Sequence, residues 1–196
     1  MVEEPESATI VVDFEADSST YTTVGDTSGT AVVSEDPTDA AKKALKVTIA
    51  TGNYASGVAM PVTIPAGKTL ADYSAVTLKV YYSEGDFSNK RIQLLALSGD
   101  LPESLSLVQY DGTWADNGTD AHLGVMDSNK DESVSVAFET YTFDLTDGNV
   151  ADLDDLVGSS LADATKALAG DISLVFALPN GGSVIYVDDL TLVAAE

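Results

Sequence analysis

From Ser74 to Ser83 the side chains alternate: Val76, Leu78, Val80 and Tyr82 fall on one face, Thr77, Lys79 and Tyr81 on the other. A period of two fits a strand buried on one side, whereas an amphipathic helix repeats its apolar positions every three to four residues. Related runs recur along the chain: ATIVVDFE (8–15), TAVVS (30–34), ALKVTIA (44–50), VAMPVTI (58–64), RIQLLALS (91–98) and SLSLVQY (104–110). HLGVM (122–126), VSVAFETYTFDL (134–145), DISLVFAL (171–178) and SVIYVDDLTLV (183–193) follow. Within these runs Phe14, Phe138, Phe143 and Phe176 occupy apolar positions and are expected in the core. Pro179-Asn180-Gly181-Gly182 between the last two runs predicts a terminal hairpin.

One helix is expected near 161–169, with Ser160 and Asp163 resembling a capping box and Gly170 at the C-terminal cap. A short helical turn is expected at Thr69–Tyr73. About ten strands with one short helix predict an all-β fold, an antiparallel β-sandwich. Its 196 residues suit one domain, 8–196, preceded by a disordered or linker segment at 1–7.

Composition narrows function by exclusion. The chain carries 9 Lys+Arg against 32 Asp+Glu, a net charge of −23. Nucleic-acid binding needs clustered cations, and anionic membranes or acidic polysaccharides would be repelled. A neutral ligand or a divalent cation is compatible with this charge. The absence of cysteine removes disulfides, thiolate metal sites and cysteine nucleophiles. His122 is the only histidine, and no G-x-S-x-G, G-x-x-x-x-G-K-[ST] or G-x-G-x-x-G motif occurs. MVEEPES at the start has neither the basic nor the apolar part of a signal peptide, so none is expected within this chain.

Two sets of residues carry chemistry. Asp127-x-Asn129-x-Asp131 begins like a calcium loop, but Glu132 stands at the glycine position and Phe138 at the twelfth, which favours a polar turn. Asp152 to Asp155 reads as a solvated approach to the helix. Asp13-Phe14-Glu15 ends the first strand, and Asp188-Asp189 interrupts the last apolar run. Adjacent aspartates there require either a bulge that exposes them or a cation. The second set is aromatic. Trp114 sits in the turn-forming stretch Asp111 to Gly118, and its partner is either the core beneath or a ligand above. Tyr54, Tyr81 and Tyr110 share that ambiguity. Tyr81, Lys79, Arg91 and Gln93 make either an ordinary polar sheet face or the lining of a groove.

The opening DFE strand, the ALKVT strand and the closing IYVDDLTLV strand resemble galactose-binding-like β-jelly-roll carbohydrate-binding modules, families 4 and 22 among them. Residues 65–73 and 85–90 are similar to modules inserted in family 10 xylanases of Bacteroidetes, and FETYTFDL (138–145) to the family's W-x-x-x-x-F-x-L strand. Phe138 stands for that tryptophan, and Tyr21 for another that many relatives place soon after the first strand. The resemblance implies a jelly roll, no catalysis, and a structural calcium at Glu15 and Asp188, with Asp189 as a further ligand. It also implies binding of a neutral plant β-glycan, xylan foremost, in a secreted or cell-surface bacterial protein linked to a glycoside hydrolase. The expected ligand contacts are Trp114, Tyr54, Tyr81, Tyr110, Arg91 and Gln93. The alternatives are a structural or adhesive surface domain without glycan affinity, or a small jelly-roll polysaccharide-cleaving enzyme.

Overall fold

A computed structural model describes residues 9–15, 21–25, 29–49, 56–85, 91–103, 122–127, 135–146, 163–178 and 182–196. The described strands are β1 (Ile10–Val12), β2 (Thr22–Val24), β3 (Thr30–Glu35), β4 (Lys43–Ile49), β5 (Ser56–Ile64) and β6 (Tyr73–Glu84). They continue with β7 (Arg91–Ser98), β8 (His122–Asp127), β9 (Glu139–Asp144), β10 (Gly170–Leu178) and β11 (Ser183–Ala194). Helix α1 spans Asp163–Lys166 and ends before the expected Ala169, residues 161–162 lying outside the described residues, and a 3-10 turn at Leu70–Asp72 leads into β6.

All recorded pairings are antiparallel, and they build two sheets. Sheet A runs β3-β4-β11-β6-β9, with β1 also on β11; sheet B runs β2-β5-β10-β7-β8. Alternation explains why they stack. Val76, Leu78, Val80 and Tyr82 of β6 enter one cluster with Ile92, Leu94 and Ala96 of β7 and with Ile172, Leu174 and Phe176 of β10. That shared layer removes both inner faces from water, the dominant stabilisation of a sandwich. Phe14, Phe143 and Phe176 lie in this core as expected.

The last two strands do not form a hairpin with each other. β10 is flanked by β5 and β7, while β11 is flanked by β6 on one edge and by β4 and β1 on the other. Neither has a free edge for its sequence neighbour, so the chain crosses between sheets. Residues 179–181 of the expected turn, and the expected strand at 104–110, lie outside the described residues. Phe138 departs from expectation too. Tyr141, Phe143 and Leu145 point inward, so Phe138 has the outward parity of Thr140 and Thr142 and is only half-buried.

The turn at Leu70–Asp72 is fixed by its own side chains. The Thr69 N–H donates to Asp72 Oδ2 at 2.8 Å and the Thr69 hydroxyl at 3.2 Å. These bonds, with Lys68 nearby, hold the Asp72 carboxyl below its usual range, so their stabilisation exists above that range and fades as pH falls through the folded value. Fully buried Leu70 donates its N–H to the Leu168 carbonyl at 2.8 Å, tying the turn to the end of α1.

Two substitutions test this packing by denaturant unfolding. Phe176→Ala, at 0% exposure, is expected to cost about 3–5 kcal/mol. Gly85 has φ +126°, and a Cβ there would meet the Ser183 Cα at 2.8 Å. Gly85→Ala is therefore expected to cost more than about 1 kcal/mol. A near-neutral result at either position contradicts the stacking of β10 or the approach of β6 to the start of β11.

Candidate functional site

The two outer faces of the sandwich differ in kind. On sheet B, several of the residues between core positions are themselves apolar and buried. Ala59, Leu95 and Val175 alternate with inward-facing neighbours and form, with Val24, a second buried cluster against which Leu97 and Leu101 pack. Gln93 lies on this outer side of β7 and is 1% exposed. Arg91, two residues upstream on the same strand, pairs its backbone with Asp127. Trp114, Tyr54 and Tyr110 lie outside the described residues.

Tyr81 stands elsewhere. It is half-buried on the outer face of sheet A, as is Lys79, with the full thickness of the sandwich between them and Gln93. The four residues Tyr81, Lys79, Arg91 and Gln93 therefore do not form one strip. Tyr21 is no exposed platform either: it is 7% exposed, with its ring edge-on to Phe14 at 5.6 Å.

What surrounds Tyr81 was hidden by sequence distance. Tyr186 of β11 is paired directly with Tyr81 of β6 and with Lys46 of β4, and Val32 of β3 is paired with Lys46. The Tyr81 ring lies 6.3 Å from Tyr186 at an interplanar angle of 78°, and 5.6 Å from Phe138 at 52°. Lys46 Nζ sits 5.9 Å from the centre of the Tyr186 ring, within cation–π range. A row of Val32, Lys46, Tyr186, Tyr81 and Phe138 thus crosses sheet A at right angles to the strands. Its only sequence signal is outward parity on each strand.

The acid corner forms where β11 changes partners. β4 pairs with β11 as far as Val187, and β1 takes over the same edge at Leu190. Between them the register slips, and Asp189 adopts φ 47°, a left-handed conformation that aspartate tolerates better than most residues. Lys79 Nζ donates to Asp189 Oδ2 at 2.6 Å, which raises the Lys79 pKa. Asp188 behaves oppositely: burial first, then the Asp189 and Asp36 charges, raise its carboxyl above the ordinary range. Asp36, 7% exposed, also accepts the Thr38 N–H at 2.6 Å and the Thr38 hydroxyl at 2.7 Å. Exposed Glu15 accepts the Lys43 N–H at 3.3 Å.

The carboxylates of Asp188 and Glu15, expected from sequence to share a calcium, are the kind of hard oxygen donor that this ion takes. Asp189 is engaged by Lys79 instead. Among the described residues, no three His, Asp or Glu side chains converge as a ready metal shell. Glu139 of β9, level with Val187 but two strands across sheet A, accepts hydrogen bonds from the Ser135 and Tyr141 hydroxyls at 3.2 and 3.3 Å. That arrangement ties β9 to the preceding turn.

No family model and no curated protein matches the chain. Solved structures do match in fold. The C-terminal family 22 carbohydrate-binding module of Clostridium thermocellum Xyn10B is 13% identical, with 95% of this chain and 94% of that one covered at TM-score 0.52. The CBM22-2 xylan-binding domain of Paenibacillus barcinonensis Xyn10C is 11% identical over 95% and 99%, also at 0.52. The K1 cleaved adhesin domain of Lys-gingipain from Porphyromonas gingivalis is 10% identical over 96% and 99%, at 0.50. The chain therefore has the β-sandwich fold of carbohydrate-binding modules, as the sequence resemblance anticipated.

Proposed function

We propose that this chain is a non-catalytic carbohydrate-binding module for a neutral plant β-glycan, with xylan the favoured polymer. The supporting observation is a sandwich that matches two such modules over nearly their whole length and its own. Fold alone does not choose a ligand, because one scaffold serves many functions. Chemistry adds two constraints: a charge of −23 favours an uncharged polymer, and pyranose C–H faces stack on aromatic rings. The role would be to hold a linked or neighbouring hydrolase near its substrate by raising effective concentration. Secretion or surface display would follow, and no helix among the described residues is long and apolar enough to cross a membrane. An adhesive domain is the second reading, favoured by the likeness to the adhesin domain.

Affinity electrophoresis distinguishes them. The chain is expected to be retarded by soluble xylan or mixed-linkage glucan and to release no reducing sugar. Reducing ends that accumulate with time and cease after one carboxylate substitution would establish an enzyme. Absence of retardation by any neutral polysaccharide would support the adhesive reading. Within the carbohydrate reading, Trp114, Tyr54, Tyr110, Arg91 and Gln93 remain the contacts expected from sequence, with Tyr81 on the other sheet. Trp114→Ala is expected to weaken binding roughly 5- to 150-fold, by analogy with aromatic stacking of bases, and to leave the melting curve nearly unchanged. A loss of about 3–5 kcal/mol of stability would make Trp114 a core residue instead.

We also propose a structural calcium at Glu15 and Asp188, supported by the burial and like-charge crowding that raise the Asp188 pKa. The proposal carries a sign. Raised in the folded state, an ionised Asp188 costs stability above its unfolded value, and protonation relieves that cost as pH falls. In chelator at neutral pH, Asp188→Asn is expected to raise stability, by on the order of 1 kcal/mol or less because the site is partly solvated. In millimolar calcium the order should invert, since only the wild type gains RT ln(1 + [L]/Kd). Identical melting curves for the wild type in calcium and in chelator would remove the cation.

A further inference from the structure

We propose that the outer face of sheet A is a second glycan-contacting surface, in which Tyr186, Tyr81 and Phe138 receive a single, uncharged polysaccharide chain laid across the strands. The inference rests on the carbohydrate-binding reading above and adds to it a face, a set of residues and a form of ligand. Three observations carry it.

The first is the row itself. Three aromatic rings from three separate segments stand side by side on an outward face, at centroid spacings of 6.3 and 5.6 Å. Tyr186 and Tyr81 are half-buried, in a layer where Val32 at one end of the row is 51% exposed. Core packing does not explain them, because the inward positions of the same strands already fill the interior. Interstrand spacing of ~4.8 Å sets the pitch of such a row, comparable to the length of one sugar residue in an extended chain.

The second is charge. The row contains no acid and includes Lys46, in a chain with 32 acids and 9 basic groups. In the adjoining row, Lys79 and Asp189 offset one another at 2.6 Å and stay about two-fifths exposed, while Asp188, paired with Lys79 across the strands, is the one acid left over. Exposed Thr140 and partly exposed Thr77 and Thr191 add hydroxyls that donate and accept. The row itself therefore carries one cation and no acid, with hydroxyls beside it and the nearest unpaired carboxylate, Asp188, one row away. It complements a polyol. A second copy of this chain, itself at −23, would be repelled.

The third is ring tilt. At 52° and 78° to Tyr81, the flanking rings cannot all lie flat against a planar crystalline surface. Successive rings that turn relative to one another suit a twisted single chain, whose sugar faces turn likewise. Because this row and Gln93 lie on different sheets of the sandwich, ligand contacts at the two would be independent. Two sites on one rigid body raise avidity for a long polymer without any new contact.

Wild-type protein and the Tyr81→Thr/Tyr186→Thr double variant, which keeps strand-favouring residues at both positions, are compared on soluble xylan and on xylohexaose. Wild-type protein is also nitrated at tyrosine with and without xylohexaose, and the modified positions are read by mass spectrometry. The expected results are retardation at least about fivefold weaker in a folded double variant, and protection of Tyr81 and Tyr186 by the hexasaccharide. Undiminished retardation of the folded variant, or unchanged nitration of both tyrosines while the wild type is retarded, overturns this proposal and leaves the carbohydrate reading intact. If the double variant does not fold, the nitration result decides alone. Wild-type protein that binds no neutral polysaccharide overturns both. Binding to crystalline cellulose in place of soluble chains overturns the single-chain ligand, and a dimer abolished by the double variant makes the face a self-association surface.

Discussion

Everything in sheet A hangs on β11, because both of its edges are in use and one edge serves two partners. β6 follows it along one side, while β4 pairs with its first half and β1 with its second. A one-residue slip in a strand reverses every side chain that follows. Here the slip is required. Ile185 and Val187 face inward before the irregularity and Leu190 and Leu192 after it, so the Asp188-Asp189 bulge resets the alternation and keeps all four in the core. The left-handed backbone at Asp189 is the local cost of that reset.

The same bulge determines the electrostatics of the corner. Two successive aspartates are turned toward the surface, and their fates divide by neighbour. Asp189 finds Lys79, the residue across from Asp188 on β6. Asp188 is left among Asp189, Asp36 and partial burial, which disfavour its charge. A pair of adjacent acids thus becomes one satisfied ion pair and one strained carboxylate. That asymmetry is why the proposed cation is expected to act through Asp188 rather than Asp189.

Strands were legible in the sequence wherever alternation was long, as in β6, and the all-β sandwich followed from their number. Partners were not. Alternation says which face is buried but not which strand lies beside it, so Pro179 to Gly182 suggests a hairpin although β10 and β11 belong to different sheets. β2 went unnoticed because three residues carry too little pattern. Phe138 was read by its apolarity when its parity with Thr140 and Thr142 was the better guide. The site was less legible than the fold for the same reason. Tyr81 and Tyr186 lie far apart in sequence and directly opposite in space. Asp36 shows how a local turn residue joins a distant acid through topology alone.

The sandwich has one outer face with a buried apolar cluster and another that carries aromatic rings, lysines, hydroxyls and the Asp188-Asp189 bulge. That contrast makes carbohydrate recognition a question about surfaces, and amide chemical shifts of the uniformly labelled full chain, titrated with xylohexaose, address it most directly. The account predicts saturable shifts that include the amides around Tyr81 and Tyr186 while the spectrum stays that of the same folded protein. Spectra indifferent to xylohexaose and to every other neutral oligosaccharide would contradict it.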